Sequence, residues 1–218
     1  CSSDLLSDAD SHAITSELTA RALASDWVVL AGSLPRGVNT DWYCDLISAV
    51  RAAAPQARIA VDTSDAPMQA IGESLNSAAP DLIKPNGLEL GQLTGTDGRE
   101  LEEQAARGDY SGVVRAARDV VKQGIAEVLV TLGGAGAVLV TADGAWAATP
   151  PPATVKSTVG AGDAALAGYL LGRTAGKSPA DSLAQSVAYG TAAASKQGTQ
   201  FPRPEELDIA HTPVNSLA

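Results

Sequence analysis

The chain has 218 residues, of which 45% are hydrophobic and 18% charged, and this composition excludes a disordered protein and allows one domain with a sizeable core. The net charge of −10 argues against nucleic acid as a partner, because a protein that binds a phosphate backbone needs a surplus of Lys and Arg on one face. No apolar run approaches the roughly 20 residues of a membrane helix and the first ten residues are too polar for a signal peptide, so we expect a cytoplasmic protein without a membrane partner.

Short apolar runs alternate with helical patterns along the first half of the chain. Apolar residues that recur every three or four positions predict helices, and short runs without a polar face predict buried strands. The predicted helices cover residues 10–24, 40–53 and 66–75, and the predicted strands cover residues 27–30, 59–61 and 81–84.

The second half continues this alternation. Helices are predicted over residues 87–93 and 113–122, and a strand over residues 128–132. Two further segments, 137–141 and 145–148, flank an Asp-Gly turn and predict an antiparallel hairpin. Two helices follow from Gly160, with a break at residues 176–179. The charged segment 99–109 is interpreted as a solvated surface loop or a helix end.

Strands that alternate with helices and lack a polar face predict a parallel sheet covered by helices on both sides, so the fold class is α/β. Residues 1–218 contain no repeat and no linker, and we predict a single domain. In such sheets the ligand lies beyond the carboxyl ends of the strands, so segments that follow strands are candidates for a site. Five such segments are unusual: residues 31–35, 62–64, 84–89, 131–136 and 157–163.

The segment GAGD at residues 160–163 opens a predicted helix. Gly160 and Gly162 allow backbone N–H groups to approach an anion such as a phosphate, and the helix dipole favours negative charge there. Asp163 lies in the first turn, where the same field favours a carboxylate that can take a proton from a hydroxyl. The alternative is an acidic side chain that only complements the helix dipole.

Two common nucleotide motifs do not account for this segment. Residues 160–165 fit the G-x-G-x-x-A form of the dinucleotide fingerprint, but two helices follow them, and Asp181 opens the second helix instead of ending a strand. The chain contains no G-x-x-x-x-G-K-[ST] segment, so a P-loop is excluded. A nucleotide would have to be bound in another way.

Residues 84–89 (KPNGLE) offer a metal site and a phosphate contact. Asn86 and Glu89 are three residues apart at the start of a short predicted helix, so they share one face and could hold Mg²⁺ through waters. Asn86 could instead only cap the helix. Lys84 ends a predicted strand, where it could reach a nucleotide phosphate or lie at the surface. The glycine-rich turn at 133–136 could line a nucleotide or only close a tight hairpin.

In order and spacing, these segments resemble the PfkB branch of the ribokinase-like carbohydrate kinases. Residues 157–164 resemble the family's C-terminal signature, residues 84–89 its N-x-x-E region, and residues 131–137 its T-L-G-x-x-G-A nucleotide turn. Residues 32–35 and 156–159 are most similar to those of bacterial 1-phosphofructokinases and tagatose-6-phosphate kinases. The resemblance implies a three-layer αβα ribokinase-like fold with a mostly parallel central sheet.

The resemblance also implies roles for individual residues. Asp163 would deprotonate the acceptor hydroxyl, and Ser33 would contact the sugar substrate or its phosphate. Glu89, together with Asn86, would organise Mg²⁺. The amides that would stabilise the transferring phosphoryl group are those of Gly160, Ala161 and Gly162. The residues that would line the ATP site are Lys84, Asn86, Thr131, Gly133, Gly136 and Ser157.

Some residues depart from the family pattern. Four positions resemble carbonyl ligands of a monovalent cation site: Ser157, Val159, Ala193 and Gly198. Close to them, Lys196 and Gln200 stand where relatives often carry Asn and Arg, which leaves activation by a monovalent cation open. Asp65 replaces a Gly that is common after the DTS segment at residues 62–64.

The activity that the resemblance implies is ATP-dependent phosphorylation of a sugar phosphate, foremost of fructose 1-phosphate to fructose 1,6-bisphosphate. Alternatives of the same class are a tagatose-6-phosphate kinase, a 6-phosphofructokinase or another PfkB sugar or nucleoside kinase. A non-catalytic nucleotide or sugar sensor is the alternative of another class, and the presence of Asp163 and Glu89 argues against it. The family's N-terminal sugar-binding segment and lid have no counterpart here, so we expect a truncated part of a homodimeric enzyme.

Overall fold

A seven-stranded sheet forms the centre of the protein in a computed structural model that describes residues 5–217. Strands β1 to β4 run parallel, and β5, β6 and β7 each pair antiparallel with the strand before them. The strands lie in the sheet in chain order: β1 Trp27–Ala31, β2 Arg58–Asp62, β3 Leu82–Ile83, β4 Glu127–Thr131, β5 Ala137–Thr141, β6 Ala145–Ala148 and β7 Val214–Leu217.

Helices connect and cover these strands. In the described part of the chain they are α1 Asp8–Ala22, α2 Trp42–Ala53, α3 Asp65–Glu73, α4 Leu75–Ala78, α5 Gly87–Thr94, α6 Gly98–Ala106, α7 Ser111–Lys122, α8 Ala161–Thr174 and α9 Pro179–Ala194. Short 3₁₀ turns occur at Gly133–Ala135 and Pro204–Glu206. None of the helices within residues 5–217 is long and apolar enough to span a bilayer.

Alternate residues of the central strands pack into two separate cores. Ile59 and Val61 of β2 belong to the core that also contains buried residues of α2, α5 and α7. Ala60, between them, belongs to the second core, which contains buried residues of α8 and α9. Because side chains alternate across a strand, each face of the sheet is covered by its own helices. The predicted α/β fold with helices on both faces is confirmed.

The charged segment 99–109 is a helix over most of its length, so the prediction of a surface loop was wrong there. The Asp97 side chain accepts hydrogen bonds from the amides of Arg99 and Glu100, which starts α6. Leu101 and Ala105 are four residues apart and buried on one face of this helix. Two apolar side chains among many charges give a periodic pattern that is too weak to predict a helix from the sequence. The helix is stabilised by packing of these two side chains against the core.

Strand β7 was not predicted either. Its sequence, VNSL, has mixed polarity, and its burial pattern leaves the two central residues exposed. It forms because β6 presents an open edge, and Asn215 and Ser216 pair there with Ala147 and Trp146. This pairing gives hydrogen-bond partners to backbone groups of residues 214–217, although their sequence alone does not predict a strand.

Helix α8 is attached to the sheet at the end opposite to its first turn. The Tyr169 hydroxyl donates to Glu127 Oε2 at 2.8 Å, and Arg173 Nη2 donates to Glu127 Oε1 at 2.9 Å. Glu127 is the first residue of β4 and is buried, so both carboxylate oxygens need these partners. The two contacts therefore fix α8 along its own axis.

We expect Tyr169→Phe to lower the free energy of unfolding by about 1–3 kcal/mol, because a buried carboxylate oxygen of Glu127 loses its donor. Tyr189→Phe, in the neighbouring helix α9, is the matched control, since no hydrogen bond of the Tyr189 hydroxyl occurs in the described residues. Chemical denaturation of both variants measures the difference. Equal losses of stability would contradict the role of the Glu127 contact.

Candidate active site

The carboxyl ends of the parallel strands meet at one edge of the sheet. The Gly32 amide, after β1, donates to the Asp62 carbonyl at 2.8 Å. On the other side, the Thr131 amide donates to the Pro85 carbonyl at 3.0 Å, and Asn86 forms a parallel bridge with Thr131. Four of the five segments singled out in the sequence are therefore neighbours in space.

The first turn of α8 has the geometry of an anion site. Gly160 occupies the N-cap with φ +79°, a conformation that favours glycine, and its side of the turn is open. The Ala161 amide donates to the Thr158 carbonyl at 3.2 Å. The amides of Gly160 and Gly162 find no acceptor among the described residues and remain available. Of the three predicted amides, Ala161 is thus partly engaged within the turn itself.

Asp163 differs from the acidic residue at the same position of the next helix. Both Asp163 and Asp181 are the third residue of their helices, α8 and α9. The Asp181 carboxylate accepts from the Ser178 hydroxyl at 2.6 Å, which belongs to the N-cap of α9. The Asp163 carboxylate is exposed and accepts no hydrogen bond within residues 5–217. It is therefore free to accept a proton from another molecule.

Lys84 is buried, so the alternative of a surface lysine was wrong. Its side chain is 7% exposed, and Nζ lies 3.1 Å from Asp62 Oδ2. The same ammonium lies against the first turn of α8, since a Cβ placed on Gly162 would be 3.3 Å from Nζ. An ammonium group and the positive end of a helix thus meet at Gly162, which suits a strongly charged anion.

The Asp62 carboxylate was not singled out by itself in the sequence, although its segment was. Burial raises the pKa of Asp62, the negative charge of Asp163 raises it further, and the adjacent Lys84 ammonium lowers it. The carboxylates of Asp62 and Asp163 are hence close enough to repel each other. Lys84 offsets that repulsion while it is held in place by Asp62.

Asn86 and Glu89 form a reciprocal cap at the start of α5. The Asn86 side chain accepts from the Glu89 amide at 2.8 Å, and Glu89 Oε2 accepts from the Asn86 amide at 2.8 Å. The capping alternative for Asn86 is thus correct, and it applies to Glu89 as well. Burial raises the pKa of Glu89, while the hydrogen bond from Asn86 and the charge of Lys84 lower it.

A metal ion would find acidic side chains here but no ready-made cage. The charges of Asp62 and Asp65 both act on Glu89. The described residues contain no group of three or more His, Cys, Asp or Glu that could hold a metal directly. An ion that keeps most of its waters, as Mg²⁺ does, fits this arrangement better than one that needs several protein ligands.

Asp65 adopts a left-handed conformation, with φ +54° at the start of α3. This is the position where the resembling family often has Gly. A glycine reaches this conformation without steric cost, whereas an aspartate accepts it with some strain. The substitution therefore retains the turn after β2 and adds a carboxylate near Glu89.

A cleft of about 660 Å³ lies between the turn after β4 and the first turns of α8. Of the residues predicted to line the ATP site, Asn86, Thr131, Gly133 and Gly136 border this cleft. Lys84 and Ser157 do not border it. Apolar walls are added by Pro150, Pro151, Val155, Ala165, Val187 and Ala194. An apolar cleft with few polar groups, next to an anion site, suits a purine ring attached to phosphates.

Gly136 is constrained by its neighbours. Its φ is +88°, and a Cβ on this residue would collide with the Ala148 carbonyl. The turn therefore requires glycine here, which agrees with its place in the predicted nucleotide turn.

The predicted cation site lies where the loop before α8 meets the end of α9. The amides of Lys156 and Ser157 both donate to the Ala194 carbonyl, at 2.8 and 3.2 Å. The Ala193 carbonyl accepts from the Lys196 amide at 3.0 Å, and Lys196 Nζ pairs with Glu206 at 2.5 Å. One of the four predicted carbonyl ligands thus already has a donor, and a lysine charge lies close by.

Ser33 follows Gly32, which has φ +91°. It is exposed at the end of β1 and makes no hydrogen bond of its side chain with the described residues. The turn that carries it is joined to the end of β2, and hence to Asp62 and the first turn of α8. Its assignment to the sugar substrate stays a prediction.

Known proteins resemble this chain over most of its length. A family model described as pfkB family carbohydrate kinase matches residues 5–206. The 1-phosphofructokinase of Rhodobacter capsulatus is 39% identical over 201 residues, which cover 92% of this chain and 58% of that protein. The 1-phosphofructokinase of Escherichia coli (strain K12) is 40% identical over 147 residues, covering 67% of this chain and 42% of that protein.

A solved structure agrees with the sequence relatives. The phosphofructokinase-2 from Escherichia coli in complex with potassium superimposes with a TM-score of 0.74 at 28% identity. The match covers 93% of this chain and 61% of that one. The chain therefore spans less than two thirds of the length of these relatives.

We expect Glu89→Gln to retain the cap, because the amide oxygen of Gln can still accept from Asn86, while the charge is lost. The raised pKa of Glu89 means that its contribution to stability is complete below the ordinary value of 4.5 and is lost as pH rises through the folded-state pKa. Glu89→Gln should therefore remove that fall and be at least as stable as the wild type at neutral pH.

Glu89→Ala is the comparison, since it also removes the acceptor and should cost about 1 kcal/mol. Thermal unfolding across this pH range measures both effects. If Glu89 also organises Mg²⁺, both variants should need roughly tenfold more Mg²⁺ for half-maximal activity. A stable Glu89→Gln variant with an unchanged Mg²⁺ titration would leave Glu89 with the capping role alone.

Proposed function

The chain belongs to the pfkB family of carbohydrate kinases, and we propose that the protein phosphorylates a hydroxyl of a sugar phosphate with ATP, converting fructose 1-phosphate to fructose 1,6-bisphosphate. The observation that supports this proposal is that the Asp163 carboxylate and the amides of Gly160 and Gly162, all without a partner among the described residues, lie beside the Lys84 ammonium. A base and an anion site at one point are what phosphoryl transfer to an alcohol requires.

In the proposed reaction Asp163 accepts the proton of the acceptor hydroxyl. The oxygen attacks the γ-phosphorus of ATP, the bond from that phosphorus to the bridging oxygen breaks, and ADP leaves with the electron pair. The amides of Gly160 and Gly162 and the Lys84 ammonium stabilise the charge on the transferring group. Little covalent chemistry is needed from the protein, so position and charge provide the catalysis.

The nucleotide would occupy the cleft between the turn at Gly133–Ala135 and α8. Asn86 and Thr131 would contact it from the strand ends, with Gly133 and Gly136 next to the base and ribose. Glu89 would hold Mg²⁺ through waters with help from Asn86. Ser157, which does not border the cleft, would approach the phosphates from the loop before α8. When bound, Mg²⁺ neutralises phosphate charge and orients the γ-phosphoryl group.

Fructose 1-phosphate is proposed as the acceptor because the relatives at 39% and 40% identity are named 1-phosphofructokinase. Phosphorylation of fructose 6-phosphate is an alternative, because a structural neighbour is named phosphofructokinase-2. Phosphorylation of tagatose 6-phosphate is a second alternative. That neighbour was solved in complex with potassium, which is a reason to test whether activity depends on a monovalent cation. The Lys196–Glu206 ion pair places a positive charge near the proposed cation site, so we expect this dependence to be weak. A cytoplasmic homodimer is proposed for the whole protein.

We expect Asp163→Asn to lower turnover by roughly 10²–10⁴-fold while ATP binding is unchanged, because only proton removal is lost. Asp181→Asn is the matched control, since Asp181 has the same place in α9 but is used in its cap. The assays use the whole protein that contains residues 1–218. Steady-state ADP production measures turnover, and nucleotide titration measures ATP binding. Turnover of Asp163→Asn within tenfold of the wild type would remove Asp163 as the base.

We expect Ser33→Ala to raise KM for the sugar phosphate about fivefold and to leave KM for ATP unchanged, because one hydrogen bond to the acceptor is lost. Ser25→Ala, just before β1 at the opposite end of the same strand, is the control. The assay compares fructose 1-phosphate, fructose 6-phosphate, tagatose 6-phosphate, free fructose and a nucleoside. A preference for another acceptor would replace fructose 1-phosphate as the proposed substrate. Equal effects on both KM values would show that Ser33 does not bind the sugar phosphate specifically.

A further inference from the structure

Two tyrosine hydroxyls support the two turns that face the candidate site. The Tyr43 hydroxyl, from α2, donates to the Gly32 carbonyl at 3.0 Å. The Tyr110 hydroxyl, at the start of α7, donates to the Ala135 carbonyl at 2.9 Å. The first turn carries Ser33 and the second borders the nucleotide cleft. Neither tyrosine was singled out in the sequence.

On the side of Ser33, the turn is held by more than one donor. The Gly32 carbonyl also accepts from the Thr63 hydroxyl at 2.9 Å. Because the peptide unit is planar and trans, the Gly32 carbonyl and the Ser33 amide belong to one rigid group and point in opposite directions. The hydroxyls of Tyr43 and Thr63 thus fix the peptide plane that precedes the Ser33 side chain.

Tyr43 remains a donor at any physiological pH. It is 6% exposed, and burial together with the charge of Asp62 raises the pKa of its hydroxyl. The ring packs in the core below the sheet edge, so its position depends on the fold and not on a ligand. A rigid donor of this kind can hold a glycine turn that has little stiffness of its own.

On the nucleotide side, the turn is rich in glycine. Gly133, Gly134 and Gly136 surround Ala135, whose amide donates to the Leu132 carbonyl at 3.0 Å. The Ala135 carbonyl belongs to the same peptide unit as the Gly136 amide, which donates to the Gly133 carbonyl at 3.1 Å. Tyr110 therefore anchors this peptide unit from the side of α7, and the turn keeps its curvature over the cleft.

We propose that Tyr43 and Tyr110 are positioning residues for two different ligands: Tyr43 for the phosphorylated sugar at the Gly32–Ser33 turn, and Tyr110 for the nucleotide at the Gly133–Gly136 turn. The proposal rests on the proposed kinase function of the site. Neither residue touches a reacting atom, and each acts through the backbone carbonyl to which its hydroxyl donates. The two effects are therefore separable by ligand.

The test is a crossed comparison of Tyr43→Phe and Tyr110→Phe, which keep the rings and remove only the hydroxyls. Tyr43→Phe should raise KM for the sugar phosphate about fivefold and leave KM for ATP within twofold of the wild type. Tyr110→Phe should do the reverse. Each variant is the control of the other, because general loss of packing would change both constants in both proteins.

Thr63→Val gives a second route to the sugar side if Tyr43→Phe folds poorly. It removes the other donor to the Gly32 carbonyl and should raise the same KM about fivefold. The double variant leaves this carbonyl without a side-chain donor among the described residues, so its effect should exceed the product of the single effects. A sugar KM that is unchanged in the Thr63→Val and Tyr43→Phe variants would overturn the sugar half of the proposal.

Direct titration of ATP distinguishes failure of this proposal from failure of the proposed function. If the wild type phosphorylates no sugar of the panel, the proposed function fails, and the sugar half of this proposal falls with it. The nucleotide half is then decided by binding alone: Tyr110→Phe should weaken ATP about fivefold and Tyr43→Phe should not. Equal weakening by both variants, or none by either, would overturn it.

Discussion

Parallel pairing of β1 to β4 brings the residues that follow four different strands to one edge of the sheet. The backbone hydrogen bonds continue beyond the strands, from Gly32 to Asp62 and from Thr131 to Pro85, so the first residues of each loop share the rigidity of the sheet. Ser33 and Lys84 are distant in sequence, yet both lie at this edge because β1 and β3 pair in parallel with the two sides of β2. The proposed ligand contacts of Ser33, Lys84, Asn86 and Thr131 depend on this arrangement.

Charge at this edge is balanced within the protein before any ligand binds. The Lys84 ammonium lies between the Asp62 carboxylate and the first turn of α8, and it is almost completely buried. A buried charge is tolerated only where a partner is close, and Asp62 is that partner. The same pair leaves the Asp163 carboxylate outside, exposed and without a hydrogen bond among the described residues. Attraction for a phosphoryl group and availability of a base thus result from one local distribution of charge.

Helix α8 links this site to the opposite end of the sheet. Its first turn supplies Gly160, Gly162 and Asp163, whereas Tyr169 and Arg173 hold the Glu127 carboxylate at the start of β4. Asp163 and Tyr169 lie six residues apart on one helix, so a displacement at the Glu127 contact would move the first turn as a rigid body. The contacts of α8 with Glu127 therefore both stabilise the fold and fix the position of Gly160, Gly162 and Asp163.

The sequence by itself determined the α/β class, nearly all strands and helices, and the segments that form the site, because alternation, glycine turns and helix caps are encoded within a few neighbouring residues. The cap that engages Asp181 is local as well, because Ser178 lies three residues before it. Only the tertiary structure decided that the Asp163 carboxylate is exposed, without a hydrogen bond among the described residues. It also decided that Lys84 is buried against Asp62 and that Tyr43 and Tyr110 hold the two turns. These contacts join residues 11, 22 and 25 positions apart, and no local pattern specifies them, because they exist only once the sheet and its helices have packed.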